Sequence, residues 1–400
     1  MTQRYDTYKD SGVQWLGEIP GHWGCVPLKY FIETKSGTAI NVKELDDRGT
    51  YPVYGGGSQI GFCNKYNCEE TEIIVGRVGA KCGCVTFPNK KVWATDNALI
   101  IKTNLYQRFT AFVLIAADLN RLNAANAQPL ITGTKIKHVR IALPPLSEQR
   151  SIVSFLDDKC GKIDEWVTKK QKEVEHLQEL KQRVIADAVT RGLNPHVKMK
   201  ATNIPWLKEI PEHWEMSKIS SHFRQRNEKV SDKDYPALSV SKQGVTPQLD
   251  NVALSNAEGT SRKLVKVGDY AVNSRSDRKG SCGVSKYEGS VSLITIVLEP
   301  FNINGEYIHY LFRSNLWVEE FYRNGRGIVA DLWTTNYQMM KSMYMPVPPL
   351  SEQKQIVSYL DTKTSQIDKL IAHITKEIEC IKEYKQRLIS DVVTGQIKVC

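Results

Sequence analysis

Two stretches of this sequence occur twice, and that repetition constrains the fold more than any other feature. Trp15-Leu-Gly-Glu-Ile-Pro-Gly-His-Trp23 returns 191 residues later as Trp206-Leu-Lys-Glu-Ile-Pro-Glu-His-Trp214. Pro144-Pro-Leu-Ser-Glu-Gln149 returns 204 residues later as Pro348-Pro-Leu-Ser-Glu-Gln353. The offset grows by 13, so the second copy gains that many residues between the two anchors. A period near 200 in a chain of 400 residues is a tandem duplication, not a solenoid. The paired Trp and His residues recur in one local frame, which fits a shared packing motif better than catalysis.

Each Pro-Pro-Leu-Ser-Glu-Gln opens a predicted helix. The prolines disfavour helix upstream, Ser147 and Ser351 are suitable N-caps, and Glu148 and Glu352 face the positive end of the macrodipole. Apolar residues then recur at Ile152, Leu156, Ile163, Val167, Val174, Leu177, Val184 and Ala188. The second copy places Ile356, Leu360, Ile367, Ile371, Ile378, Ile381, Leu388 and Val392 at the same positions plus 204. Steps of three, four and seven make one stripe on a helix of ~45 residues, or ~65 Å. A helix that long needs a partner for its stripe. The two stripes complement each other within one chain, the alternatives being an ordinary core helix or a coil between chains. Gly161 weakens the first helix locally by ~1 kcal/mol.

Charge follows the same division. The chain carries 54 Lys and Arg against 44 Asp and Glu, a net +10. The segment 147–192 is neutral and 351–400 carries +1, so the globular parts hold +9. Basic ends on a neutral spacer are expected of a protein whose globular halves touch a polyanion. Hydrophobic content of 41% is that of an ordinary folded protein. No apolar run reaches membrane-spanning length, and the first twenty residues have no apolar signal core, so a cytoplasmic protein without a membrane role is expected. Nine cysteines in such a chain read as reduced thiols. The spacing of Cys63, Cys68, Cys82 and Cys84 misses the paired CxxC pattern of zinc sites, so no metal is expected.

Short β-branched and aromatic runs mark strands at 72–75, 91–93, 98–101, 265–272 and 291–298. One helical stretch is expected in each half, at 109–119 and 305–321. Polar, glycine-bearing loops hold the candidate contacts, because Arg, Lys, Asn and Gln bond base edges and phosphates. In the first half these are Gly56, Ser58, Gln59, Arg77, Lys81, Asn126, Gln128 and Thr132, with Arg77, Lys81 and Gln128 foremost and the Thr95-Asp-Asn97 run beside them. In the second they are Arg224, Arg226, Lys242, Gln243, Arg275, Arg278, Lys279, Arg323 and Arg326, with Arg275, Arg278 and Lys279 foremost. No phosphate-loop motif, HExxH, GxSxG or Asn-Pro-Pro-Tyr-like tetrapeptide is present, so no catalytic residues are expected in this chain.

The duplicated pattern of a variable basic domain, Pro-Pro-Leu-x-Glu-Gln and a long amphipathic helix resembles the specificity subunit of type I restriction–modification systems. The resemblance covers essentially the whole chain. Its carriers are Leu143–Gln149 with Val347–Gln353, and Gln182-Arg-Val-Ile-Ala-Asp-Ala-Val-Thr190 with Gln386-Arg-Leu-Ile-Ser-Asp-Val-Val-Thr394. The Trp-Leu-x-Glu-Ile-Pro-x-His-Trp openers, the Gly76-Arg-Val-Gly79 turn and the Ala94-Thr-Asp-Asn97 run are similar to that family too. The second half departs from it: Arg278-Lys-Gly-Ser-Cys-Gly283 stands near the turn position, and no Thr-Asp-Asn follows.

The resemblance implies an α+β fold of two tandem mixed α/β, strand-rich target recognition domains, separated by two long helices that form an antiparallel coiled coil. The expected boundaries are 1–146 and 204–350 for the domains, 147–193 and 351–400 for the helices, and 194–203 for a linker. Each domain would read one half of a bipartite target in duplex DNA, and the coil would set the spacing. The implied partners are two methyltransferase (modification) subunits and a restriction motor-nuclease subunit. S-adenosylmethionine, ATP and Mg would be bound by those partners and none by this chain. Two alternatives remain at this point: the same kind of subunit in a bipartite-site type II enzyme, and a coiled-coil interaction protein without a DNA role. A self-contained nuclease is more remote.

Overall fold

The structure, a computed structural model, describes residues 3–79, 81–122, 130–248, 262–275, 278–326 and 334–399. It divides into two compact units, Met1–Gln171 with Thr375–Cys400, and Lys172–Ile374.

The first unit is built on an antiparallel sheet ordered Ile32–Ser36, Ala98–Thr103, Ile73–Gly76, Val85–Thr86. Side chains alternate across it, as the two-residue period of a strand requires. Ile73, Val75, Leu99 and Ile101 enter the main core with Phe109 and Phe112 of the helix Gln107–Ala116. Ile74, Ala98 and Ile100 enter a smaller core with Cys68, Val92 and Ala94 on the other face. Burial on both faces explains why these strands read as unbroken apolar runs.

The second unit repeats the strand order with Phe223–Arg226, Ile296–Pro300, Tyr270–Val272, Cys282–Val284. Tyr270, Val272, Ile296 and Leu298 join the main core, and Ala271 and Val297 a second one. Both runs expected here as single strands are each two. Arg262–Val265 and Tyr270–Val272 are separated by a turn with Gly268 at φ +89°, and Gly289–Val291 and Ile296–Pro300 by the Ser292–Thr295 turn. The single helix expected at 305–321 breaks at Ser314, whose side chain caps a second helix, Asn315–Arg323.

The two long helices span Leu146–Arg191 and Leu350–Val393. They start one residue earlier than expected. The Pro145 and Pro349 carbonyls accept the first helical bonds, from Gln149 and Gln353, so Ser147 and Ser351 lie inside the first turn rather than capping it. The second helix stops at Val393, before Gly395 at φ +77°, instead of continuing to 400. The expected linker is partly a strand: Met199–Ile204 pairs with Leu207–Pro211, and none of its residues is fully buried, so no apolar alternation announces it.

Each unit joins the start of one helix to the end of the other. In the first, Ile152, Leu156 and Cys160 share a core with Leu388, Ile389 and Val392. In the second, Ile356 and Leu360 share a core with Ile185, Ala188 and Val189. The helices therefore run antiparallel and pair within one chain. Lys385 Nζ lies 2.7 Å from both Asp164 carboxylate oxygens, and Lys181 Nζ is at the same distance from both of Asp368. These are one pair in two copies, each member displaced by 204. Half-exposed ion pairs stabilise by only ~0.5 kcal/mol, so they matter more for register than for stability. Val167 and Ile378 of the stripe are buried, while Ile163, Val174, Leu177, Val184, Ile367, Ile371 and Ile381 are half-buried, as in a seam only two helices wide. Ile374, outside the stripe read from the sequence, is also buried.

The two repeated motifs meet. Trp23 is fully buried and donates its indole N–H to Glu148 Oε2 at 2.9 Å; Trp214 does the same to Glu352 Oε2 at 3.0 Å. His22 Nε2 lies 2.6 Å from Glu148, and His213 Nε2 lies 2.8 Å from Glu352. The end of the other helix closes the assembly. A Cβ on Gly395 would lie 3.1 Å from the Trp23 ring and 2.4 Å from Pro20, and one on Gly192 would lie 3.2 Å from the Trp214 ring. Both glycines also hold positive φ, so each serves the helix stop and the tryptophan at once.

Glu148→Ala orphans the buried Trp23 N–H and is expected to cost about 1–3 kcal/mol in a denaturant titration. Burial pushes the Glu148 carboxyl up, but hydrogen bonds from His22, Trp23 and Tyr5 outweigh it and hold the carboxyl below its ordinary value of 4.5. Its stabilising contribution is therefore full above that value and lost as pH falls through the lowered folded value. A Glu148→Ala penalty that stays constant down to the lowest pH at which the chain is folded would contradict this account.

Candidate nucleic-acid interface

In the first unit the candidate loops are gathered by backbone contact. A Cβ on Gly76 would lie 2.2 Å from Gly56 O, and one on Gly56 would lie 2.9 Å from Val78 O. Only glycine lets these loops abut, and this brings Gly56 beside Val78 and Gly57 beside Lys81. The Arg77 N–H donates to Asn97 O and the Ile131 N–H to Arg77 O, both at 3.0 Å, which adds the 95–97 turn and Thr132 to the same edge. Thr132 caps the short helix Gly133–Lys137 by accepting from Lys135 N. The half-buried Arg77 guanidinium donates to Ser36 Oγ at 3.0 Å, a partner no sequence signal announced. Lys81 and Gln59 are exposed, and Lys81 lines a 790 Å³ cleft with Lys382 and Lys385. Asn126 and Gln128 lie outside the described residues.

The second unit sorts its cations into three groups. Arg275 and Arg326 both bridge to Thr334, and the Tyr322 hydroxyl donates to the Asn273 and Arg278 carbonyls at 3.0 and 3.2 Å. Arg275, Arg278, Arg323 and Arg326 are thereby gathered, all exposed, with Arg323 3.5 Å from Glu320. Lys242 and Lys279 instead line a 540 Å³ cleft with Lys181, His309 and Arg313. Lys279 pairs there with Glu319 at 3.1 Å, and Gln243 stands exposed in the same turn as Lys242. Burial, then the charges of Arg313 and Lys286, push the His309 imidazole down to about 4, so it is neutral at physiological pH. Arg313 sits on a helix and carried no loop signal.

Arg224 and Arg226 form the third group, on the strand Phe223–Arg226, with Arg224 exposed and Arg226 half-buried. Arg224 lies over the Phe301 ring at 5.2 Å. Arg226 grips the buried Asp269 through two bonds, at 2.6 and 3.1 Å, and lies 3.5 Å from Glu299. Arg226 was expected to contact DNA; in this fold its guanidinium is engaged by a buried carboxylate.

Among the described residues no three metal-ligating side chains converge. Cys63, Cys68 and Cys82 lie in three separate hydrophobic clusters, and burial, then Glu72, push the Cys68 thiol up to about 12. No described helix is long and apolar enough to cross a membrane.

The family model described as type I restriction modification DNA specificity domain matches residues 20–176 and again 211–380. A protein of Methanocaldococcus jannaschii assigned as the MjaX type I restriction enzyme specificity subunit is 26% identical over 287 residues, which is 68% of this chain and 62% of that relative. The MjaVIII type I restriction enzyme specificity subunit of the same archaeon is 25% identical over 95% of this chain and 94% of its own length. A chain in a solved structure, described as the structural basis of complex assembly and conformational transition of the type I R-M system, superposes with a TM-score of 0.65. It is 15% identical and covers 94% of this chain and 98% of its own, a likeness of fold.

Arg226→Ala would leave the buried Asp269 without its counter-ion, with the Lys266 N–H still donating to it, and is expected to cost about 3 kcal/mol of stability. Arg278→Ala, at an exposed position, should stay within about 0.5 kcal/mol of the parent. Denaturant midpoints decide: equal values for the two variants would return Arg226 to the set of candidate contacts.

Proposed function

The chain belongs to the type I restriction–modification DNA specificity family, and from that premise we propose that each globular unit reads one half of a split target in duplex DNA. The observation that carries this reading is the duplication. The same strand order appears twice, each time ending in a cluster of glycine-bearing and basic loops, on helices that are nearly neutral. Cations on the loops supply phosphate attraction, and their donors supply base readout. Gly56, Ser58, Gln59, Arg77, Lys81 and Thr132 are the proposed first-half contacts, and Arg275, Arg278, Arg323, Arg326, Lys242, Gln243 and Lys279 the second-half ones. The paired helices would fix the separation of the half-sites.

The helices also carry apolar side chains that the seam does not use. Leu180 and Leu370 in the second unit are 47% and 43% exposed; in the first, Tyr384 is 54% exposed and Trp166 half-buried. These are equivalent positions, displaced by 204. Two apolar patches at equivalent positions fit two copies of one partner, which we take to be the methyltransferase (modification) subunits, with a restriction motor-nuclease subunit joining for cleavage. On this reading the chain is non-catalytic and acts in the cytoplasm, while S-adenosylmethionine, ATP and Mg are held by the partners.

Modification sequencing of host DNA with and without the gene tests the reading. One split adenine-methylation motif should disappear on deletion, and an unchanged methylation pattern would count against it. Inserting four residues near the middle of each long helix adds ~6 Å and should lengthen the spacer of the motif by about two base pairs. A spacer of unchanged length would refute the coil as a ruler.

A further inference from the structure

The Thr-Asp-Asn turn of the first half has a counterpart that residue types conceal. In the first unit, the Ala98 N–H donates to Thr95 O at 2.9 Å, closing a turn that leads into the strand Ala98–Thr103. In the second, the Thr295 N–H donates to Ser292 O at the same distance, closing a turn that leads into the equivalent strand Ile296–Pro300. Each turn is tied to the neighbouring candidate loop through its third residue. Asn97 O accepts from the Arg77 N–H at 3.0 Å, and Ile294 O from Ser274 Oγ at 2.8 Å, one residue before Arg275. The tip residues Asp96 and Asn97 are thus replaced by Leu293 and Ile294.

All four tips are exposed, Leu293 and Ile294 by 38% and 47%. A turn tip ordinarily carries polar side chains, and a Leu or Ile left in water forgoes the gain of burying it. Here two of them stand in solvent on a turn that is anchored twice, by Ser274 and by Lys263 Nζ on Thr295 O at 2.9 Å. Through Ser274 the turn is joined to the neighbouring Arg275, which bridges Thr334 as Arg326 does. A surface that accepts arginines and two aliphatic side chains together is the major groove, where the thymine methyl is the apolar feature among acceptor edges.

We propose that Leu293 and Ile294 are specificity-determining residues that contact a thymine methyl in the second half-site. The inference rests on the reading of this chain as a split-target specificity subunit. The same turn in the first unit offers Asp96 and Asn97, so equivalent positions read different base chemistry in the two half-sites.

The test uses this chain assembled with its methyltransferase subunits and a duplex carrying the motif found by modification sequencing. Each second-half thymine is replaced in turn by deoxyuridine, which removes only the methyl group. At one position or more the replacement should weaken binding about fourfold, the worth of one buried methyl. The Leu293→Ser/Ile294→Ser variant should bind thymine and deoxyuridine duplexes equally there while keeping its first-half selectivity. The two single variants, each halving the discrimination or more, serve if the double variant fails to fold. Indifference of the parent to every second-half deoxyuridine, a half-site without thymine in either strand, or full discrimination in the variants would each overturn the proposal. A complex that binds no duplex selectively would overturn the functional reading beneath it instead.

Discussion

Two buried indole N–H groups need an acceptor, and the way each finds one organises this molecule. Trp23 and Trp214 sit at the centres of their units, where an unpaired donor would cost about 1–3 kcal/mol. Their acceptors, Glu148 and Glu352, stand in the first turns of the long helices. Glycines just past the ends of the opposite helices leave room for the rings. Three segments far apart in sequence are thus tied at one point in each unit: the opening motif, the start of one helix and the end of the other. Antiparallel pairing follows, because only that direction delivers a start and an end to the same place.

Much of this was legible in the sequence, for physical reasons. The helices were visible because a stripe of period 3.6 sustained over more than forty residues has few rivals, and the duplication made their pairing readable. The strands were visible wherever both faces are buried, as at Ile73–Gly76. What escaped were elements held by backbone geometry. The strand Met199–Ile204 has no alternation of buried apolar and exposed polar side chains and no fully buried residue, so it read as a linker. Ser147 and Ser351 had the chemistry of caps, yet the prolines before them already supply the first helical carbonyls.

The candidate contacts divide along the same line. Residue type nominated both Arg226 and Arg275, Arg275 ahead, but only the fold shows that Arg226 faces a buried carboxylate while Arg275 is exposed. No one-dimensional pattern could have paired Arg226 with Asp269, which is 43 residues away in sequence. Conversely, glycine at 56 and 76 proved informative for a stronger reason than flexibility: a single Cβ at either would force two loops apart.

The division of the chain into units also bears on the order in which the protein can be made. Lys172–Ile374 is one continuous stretch, whereas the other unit needs both 1–171 and 375–399. Ribosomal synthesis at ~5–20 residues per second leaves roughly 10–40 s between those two pieces. For that interval Ile152 and Leu156 lack Leu388 and Val392, although the half emerging second can already close around Trp214. The half translated first is thus the last to be finished.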